Sequence, residues 1–209
     1  MMKTTRIMIV AVGGQGNILA AKLLGEAALM RGLDVRMSEF HGMAQRGGVV
    51  ESMILLGDGD GYCIADGEAD ILLGFEPVET IRAAKKCSSN TLVITNTAPV
   101  FPFTVALGHA VYPDIPQALQ TLASRVSGLT ALDANSLARR AGSVQSLNVV
   151  MLGALAASAR LPEIGKELLE RAIREKMKSA VMEINLRAFK SGYEACQNEA
   201  RGNSACAVE

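Results

Sequence analysis

The chain has 209 residues, 49% of them hydrophobic and 20% charged, a balance that belongs to a folded globular protein and excludes a disordered one. Lys plus Arg and Asp plus Glu both number 21, so no overall field draws nucleic acid or anionic lipid. Aromatic residues are 4% and Trp is absent, which argues against base-stacking platforms and aromatic-lined sugar sites.

The apolar run Ile7–Val12 reads as a first strand buried on both faces rather than as a signal peptide. Gly13, Gly14, Gln15 and Gly16 follow, and Ile18, Leu19, Leu23, Ala27 and Met30 then recur at helical spacing up to a stop at Gly32. Leu33–Ser38 reads as a second strand, parallel to the first through a right-handed crossover. After a polar stretch at 39–48, Val49–Leu56 predicts a strand and the Gly57–Gly61 run a turn, with Tyr62–Ala65 returning as its hairpin partner. Asp70–Phe75 and Thr91–Thr95 predict further strands, with a helix opening at Pro77 between them. Beyond the loop around Pro99 and Pro102, a short strand is expected at His109–Tyr112, a helix at Ile115–Ser124 and a last strand at Leu129–Ala134. Helices are expected over 146–159, 163–176 and 178–192, and residues 196–209 read as a flexible tail. The uncharged helix around Ala154–Ala157 points to packing within the domain or against a partner, a second copy of the chain included. The fold class is α/β: a Rossmann-like, mostly parallel sheet with a β-hairpin insertion and a helical C-terminal part, in one domain over residues 1–195.

Cys63, Cys87, Cys196 and Cys206 are scattered, with no spacing suited to zinc or an iron–sulfur cluster, and His41 and His109 lie far from any of them. Reduced thiols and the lack of a membrane-length apolar run suggest a cytoplasmic protein. No metal site, catalytic acid, base or nucleophile is assigned to this chain.

Two glycine-rich loops carry the functional signal. Ala11–Gly16 (AVGGQG) is similar to the dinucleotide fingerprint G-x-G-x-x-G with Ala11 in place of its first glycine. Its physics is that of backbone N–H groups at a helix start meeting an anion, the glycines allowing close approach. Glu39 stands near the place of the acidic residue which that fingerprint requires after the second strand, so a stand-alone dinucleotide-binding oxidoreductase is one reading. The second loop sets Glu39, His41, Gln45 and Arg46 among Gly42, Gly47 and Gly48, with Met43 inside it. Both loops leave the carboxyl ends of strands, the edge at which open α/β sheets bind ligands. Arg46 suits a phosphate or carboxylate, and Gln45 an amide or backbone group. Glu76 and Asn96 end later strands on the same predicted edge, and Asn148 is suited to a helix start.

These segments, together with ADILLGFEPVETIRAA at 69–84, VITNTAPVFP at 93–102, NVVMLGAL at 148–155 and EINLRAFKSG at 183–192, resemble a known family over nearly the whole chain. It resembles the gamma-type subunits of 2-oxoacid:ferredoxin oxidoreductases and, more closely, the small (beta) subunits of indolepyruvate:ferredoxin oxidoreductases. That resemblance implies a shared reaction in which a 2-oxoacid is decarboxylated on thiamine diphosphate, electrons pass through iron–sulfur clusters to ferredoxin, and coenzyme A takes the acyl group. It implies that thiamine diphosphate, Mg and the clusters lie in a large alpha subunit, which is the partner that meets ferredoxin, and that this chain binds none of them tightly. Gly13, Gly14, Gln15 and Gly16, with Gln45 and Arg46, are its candidates for contact with coenzyme A. Pyruvate, 2-oxoglutarate and branched 2-oxoacids stand as alternative substrates to indolepyruvate or another arylpyruvate.

Overall fold

The computed structural model describes residues 4–42 and 47–205. Six strands form one sheet: β1 (Thr5–Val12), β2 (Val35–His41), β3 (Val49–Leu56), β4 (Ala69–Gly74), β5 (Cys87–Asn96) and β6 (Gly128–Leu132), in the order β2-β3-β1-β4-β5-β6. β1 pairs parallel with β4, β4 with β5 and β5 with β6, whereas β3 is antiparallel to both β1 and β2. Five strands therefore point one way and β3 alone runs against them. The expected mostly parallel α/β sheet is present, and its antiparallel element lies elsewhere than expected. β3 pairs with β2 and slots between β2 and β1, while Tyr62–Ala65 forms no strand. Period-two patterning marks a strand without naming its neighbour, and the turn-rich Gly57–Gly61 run suited a hairpin equally well.

Strand alternation divides the interior into two cores. Ile7, Ile9, Ala11, Ile54, Ile71, Leu73 and Ile94 face one layer of helices, and Met8, Val10, Met53, Leu55, Leu72 and Val93 face the other. The first layer holds α1 (Asn17–Met30), α5 (Ala134–Ala141), α6 (Leu147–Ala157), α7 (Lys166–Lys176) and α8 (Ser179–Ala205). The second is thinner, with α2 (Pro77–Arg82) followed by a 3-10 turn at Ala83–Lys86, and α4 (Ile115–Ala123). A single turn, α3 (Phe103–Ala106), lies after β5, and no strand forms over 109–112; the chain passes from there to the Asp114 cap and Pro116 that open α4. Helix α5 lies outside the elements expected from the sequence, although both of its signals are present: Asp133 Oδ1 caps it by accepting from Ser136 N–H at 2.9 Å, and Ala134, Leu137, Ala138 and Ala141 recur at helical spacing and pack into the core.

Helix α6 is buried at every residue from Leu147 to Leu155. It crosses α8 so closely that a Cβ on Gly153 would lie 2.0 Å from the Phe189 carbonyl oxygen, and one on Gly192 would lie 1.9 Å from that of Val150. The uncharged helix is thus interior packing, with α8 as the partner that covers it. α8 itself continues to Ala205 through residues read as a tail.

Candidate functional site

The shared direction of β1, β2, β4, β5 and β6 brings five strand ends to one edge of the sheet. Gly13 to Gly16 lead from β1 into α1, with Gly14 at φ 104° and Gly16 at φ 79°, conformations that cost a side chain-bearing residue about 1 kcal/mol or more. A Cβ on Gly16 would also meet Asn148 Nδ2 at 2.8 Å, and that same amide donates to the Gly16 carbonyl at 3.1 Å. Asn148 thereby fastens α6 to the loop, while its Oδ1 accepts from Val149 N–H at 3.0 Å. No side chain caps the start of α1, and Gly14 in the turn before it is exposed. The two glycine-rich loops touch through Gly13 N–H to Gly48 O at 2.8 Å.

Gln15 faces inward. Its Oε1 accepts from Val12 N–H at 2.8 Å and its Nε2 donates to the Phe75 carbonyl at 3.0 Å. Asn96, fully buried, donates from Nδ2 to the same carbonyl at 2.9 Å and to Asn135 Oδ1 at 3.2 Å. Its Oδ1 accepts from Ala98 N–H at 3.2 Å and Ala134 N–H at 3.0 Å. One carbonyl therefore ties the ends of β1, β4 and β5 together, and Asn96 extends the knot to the start of α5.

Glu76 is 1% exposed. One carboxylate oxygen caps α2 through Glu79 N–H at 2.9 Å; the other accepts from Val100 N–H at 3.3 Å and from the Tyr112 hydroxyl. Burial, then the hydrogen bond and charge of Glu76, hold the Tyr112 phenol protonated far above its ordinary range. Phe101 packs edge-to-face on Tyr112 with ring centroids 4.9 Å apart. Glu76 thus pins both ends of the 98–112 strap, whose fifteen residues include no Asp, Glu, Lys or Arg. Phe101, Phe103, Leu107 and Val111 on it are exposed by 58, 76, 53 and 94%. Sequence reasoning missed this strap; its signal was the long uncharged run between two prolines.

Glu39 and His41 belong to β2 rather than to the loop after it, and both are exposed, as is Gly42. His41 pairs with Val50, which pairs with Ala11, and Glu39 likewise stands across Ser52 from Ile9. Each is two strand spacings, about 10 Å, from β1. The dinucleotide reading needs the acidic residue on the strand beside β1, and β3 occupies that place. Met43, Gln45 and Arg46 lie outside the described residues; Gly47 closes the loop at φ 75° and Gly48 makes the bond to Gly13. The structure gathers Gly13, Gly14, Gln15, Gly16, Gly48, Glu76 and Asn96 on one edge and sets Glu39 and His41 at its far end. A polar cleft of about 590 Å³ lies at the opposite edge, between Arg6, Asp70, Asn90 and Arg160, remote from both loops.

Among the described residues no buried side-chain polar atom lacks a partner, so the buried amides and carboxylate of this edge are already engaged within the protein. Cys63 is exposed on a loop, Cys87 is on β5 and Cys196 is buried on α8, so these three thiols do not converge. Among the described residues no helix is long and apolar enough to cross a membrane.

Residues 6–195 match the family described as pyruvate ferredoxin/flavodoxin oxidoreductase. The chain belongs to that family. It is 42% identical over 189 residues to the indolepyruvate oxidoreductase subunit IorB of Methanothermobacter thermautotrophicus, an alignment covering 90% of this chain and 96% of that one. Its fold is similar to the gamma subunit of the keto/oxoacid ferredoxin oxidoreductase of Geobacter sulfurreducens, with a TM-score of 0.68 at 23% identity, covering 93% of this chain and 99% of that one. It is also similar to the 2-oxoglutarate:ferredoxin oxidoreductase of Magnetococcus marinus, solved with 2-oxoglutarate, coenzyme A and succinyl-CoA bound. There the TM-score is 0.68 at 22% identity, and 95% of this chain matches 32% of a much longer one. The fold is thus similar both to a separate subunit and to part of a longer chain.

Proposed function

We propose that this chain is the small subunit of an indolepyruvate:ferredoxin oxidoreductase. The observation that carries the reading is the 42% identity, at nearly full length on both sides, to an indolepyruvate oxidoreductase subunit. In the assembled enzyme a larger subunit would hold thiamine diphosphate, Mg and iron–sulfur clusters, which would supply decarboxylation of the 2-oxoacid and transfer of two electrons to ferredoxin, with coenzyme A as the acyl acceptor. The scattered positions of Cys63, Cys87 and Cys196 in this chain support that division of labour. The exposed apolar strap at 98–112 is the face that meets the larger subunit, being uncharged, aromatic and rigidly pinned by Glu76. The adjoining Gly13–Gly16 turn, with its open corner and uncapped helix start, contacts the phosphates of coenzyme A at the joint entrance, together with Gln45 and Arg46. A second copy of this chain is a further partner. The complex acts in the cytoplasm.

The test is anaerobic purification from the native host through a tag on this chain. Bound iron and thiamine diphosphate are measured, and viologen reduction with coenzyme A is compared for indolepyruvate, pyruvate, 2-oxoglutarate and a branched 2-oxoacid. Co-purification of a large cluster-bearing subunit with preference for indolepyruvate is expected. Preference for another acid reassigns the substrate, and emergence of the chain alone with a bound dinucleotide overturns the reading.

A further inference from the structure

The two edges of the sheet are finished differently. At β6, α8 lies across the open side: Cys196 hydrogen-bonds the Thr130 side chain, and the Glu199 carboxylate accepts from the Ala131 backbone N–H. At the other edge β2 pairs with β3 alone, over seven residues in unbroken register, with no proline or bulge to blunt it. A long regular edge left in this state is a template for another strand.

Helix α1 packs across β3 and β2 near that edge. A Cβ on Gly25 would lie 3.1 Å from Met37 Sδ and 3.5 Å from Val35 Cγ1, so this part of the helix sits close against β2. Beside them lies a largely apolar groove of about 430 Å³ lined by Leu19, Lys22, Glu26, Leu29, Val35 and Met37, with Lys176 of α7 at its side. Leu19 and Leu29 are exposed by 39 and 58%, on the face of α1 opposite the one buried in the core.

The order of these residues on α1 says what fits. Leu19, Lys22, Glu26 and Leu29 share one helical face. Leu19 and Leu29 are equidistant from Leu24, and so are Lys22 and Glu26. A two-fold axis passing by Leu24 therefore sets Leu19 against Leu29 of a second copy and Lys22 against Glu26 of that copy, twice over. Few surfaces match themselves under rotation, and self-complementarity of this kind is what a two-fold interface requires. The same axis, perpendicular to the sheet, lays β2 antiparallel to β2 of the second copy, each residue keeping its face. Lys22 is exposed and holds no hydrogen bond or ion pair among the described residues, whereas Glu26 meets Lys176 at 2.6 Å and retains a carboxylate oxygen.

We infer that the α1–β2 edge is a homodimer interface, joining two sheets into one of twelve strands through Leu19–Leu29 and Lys22–Glu26 contacts between copies. It deepens the proposal that the chain pairs with itself, and it is separate from the strap, since β3, β1 and β4 lie between β2 and β5. The enzymatic reading does not depend on it.

Sedimentation velocity on the full chain without the larger subunit tests the interface, with circular dichroism confirming that each variant is folded. The wild type is expected to be a dimer at micromolar concentration. Lys22→Glu and Glu26→Lys each set like charges against one another and raise the dimer dissociation constant by about ten-fold or more. Mixing the two variants restores the dimer, because each then meets its opposite charge twice. A wild-type monomer at about 100 μM, far above the range of a specific standard-size interface, overturns the inference. So does a mixture no more associated than its components, or a strand-edge contact made only with the larger subunit.

Discussion

The carbonyl knot at the sheet edge makes Asn96 the most informative single substitution. Its side chain serves two backbone donors and three acceptors in a site with no access to water. Asn96→Ala orphans the Ala134 N–H, itself fully buried, and takes one of two donors from the Phe75 carbonyl. An unpaired buried donor costs about 1–3 kcal/mol and each lost bond about 1, so a loss near 3 kcal/mol is expected, or roughly 6–12 °C in melting temperature. Asn96→Asp keeps the acceptor for Ala98 and Ala134 but points a carboxylate at the Phe75 carbonyl and Asn135 Oδ1. Burial and those two oxygens raise its folded-state pKa above the unfolded value of about 3.9. The deficit is then complete above the folded pKa and fades as pH falls through it, because the protonated acid donates to Phe75 as the amide did. Urea unfolding of wild type and both variants at pH 7.5 and pH 5 measures this. If Asn96 served only a ligand, both variants would unfold like wild type. A difference under about 0.5 kcal/mol at pH 7.5, or an Asp deficit unchanged at pH 5, would refute the knot as the organiser of this edge.

Two further expectations rest on other parts of the molecule. Gly192→Ala improves helix propensity by about 1 kcal/mol, yet its Cβ falls 1.9 Å from the Val150 carbonyl oxygen, so α6 and α8 must part; a net loss of about 1–3 kcal/mol by chemical denaturation is expected, and a gain would show that the crossing yields freely. The Glu79 carboxyl is held above its ordinary value first by burial, against the pull of Arg82, with Glu76 and Glu51 adding to the rise. A carboxylate with a raised folded pKa withdraws stability as pH climbs past the ordinary value of 4.5, so Glu79→Gln should melt higher than wild type at pH 7 and no higher at pH 4. Equal melting of the two proteins at both pH values would contradict this.

The chain's local chemistry was readable in the sequence. The β-branched run of β1, the glycine turn that follows it, the proline at the head of α2 and the start of α4 all declare themselves through backbone preferences acting over a few residues. The concentration of Gly13–Gly16, Glu76 and Asn96 on one edge followed as well, because parallel strands bring their carboxyl ends together. Partnership was different. Whether β3 joins β2 and β1 or folds back on 62–65 depends on which arrangement buries both faces of Ile54 and Leu55, a sum over the whole core that no window of residues contains. The roles of Gln15, Glu76 and Asn96 likewise rest on the position of the Phe75 carbonyl and the strap, up to 60 residues away in the chain. The apolar helix near 150 could face inward or outward by composition alone; in the fold it is enclosed by α1, α5, α7, β5 and α8, the last approaching closely at Gly153. The symmetry of Leu19, Lys22, Glu26 and Leu29 was written in the sequence throughout. It gained meaning from the sheet order, which leaves β2 as the uncovered edge beneath them.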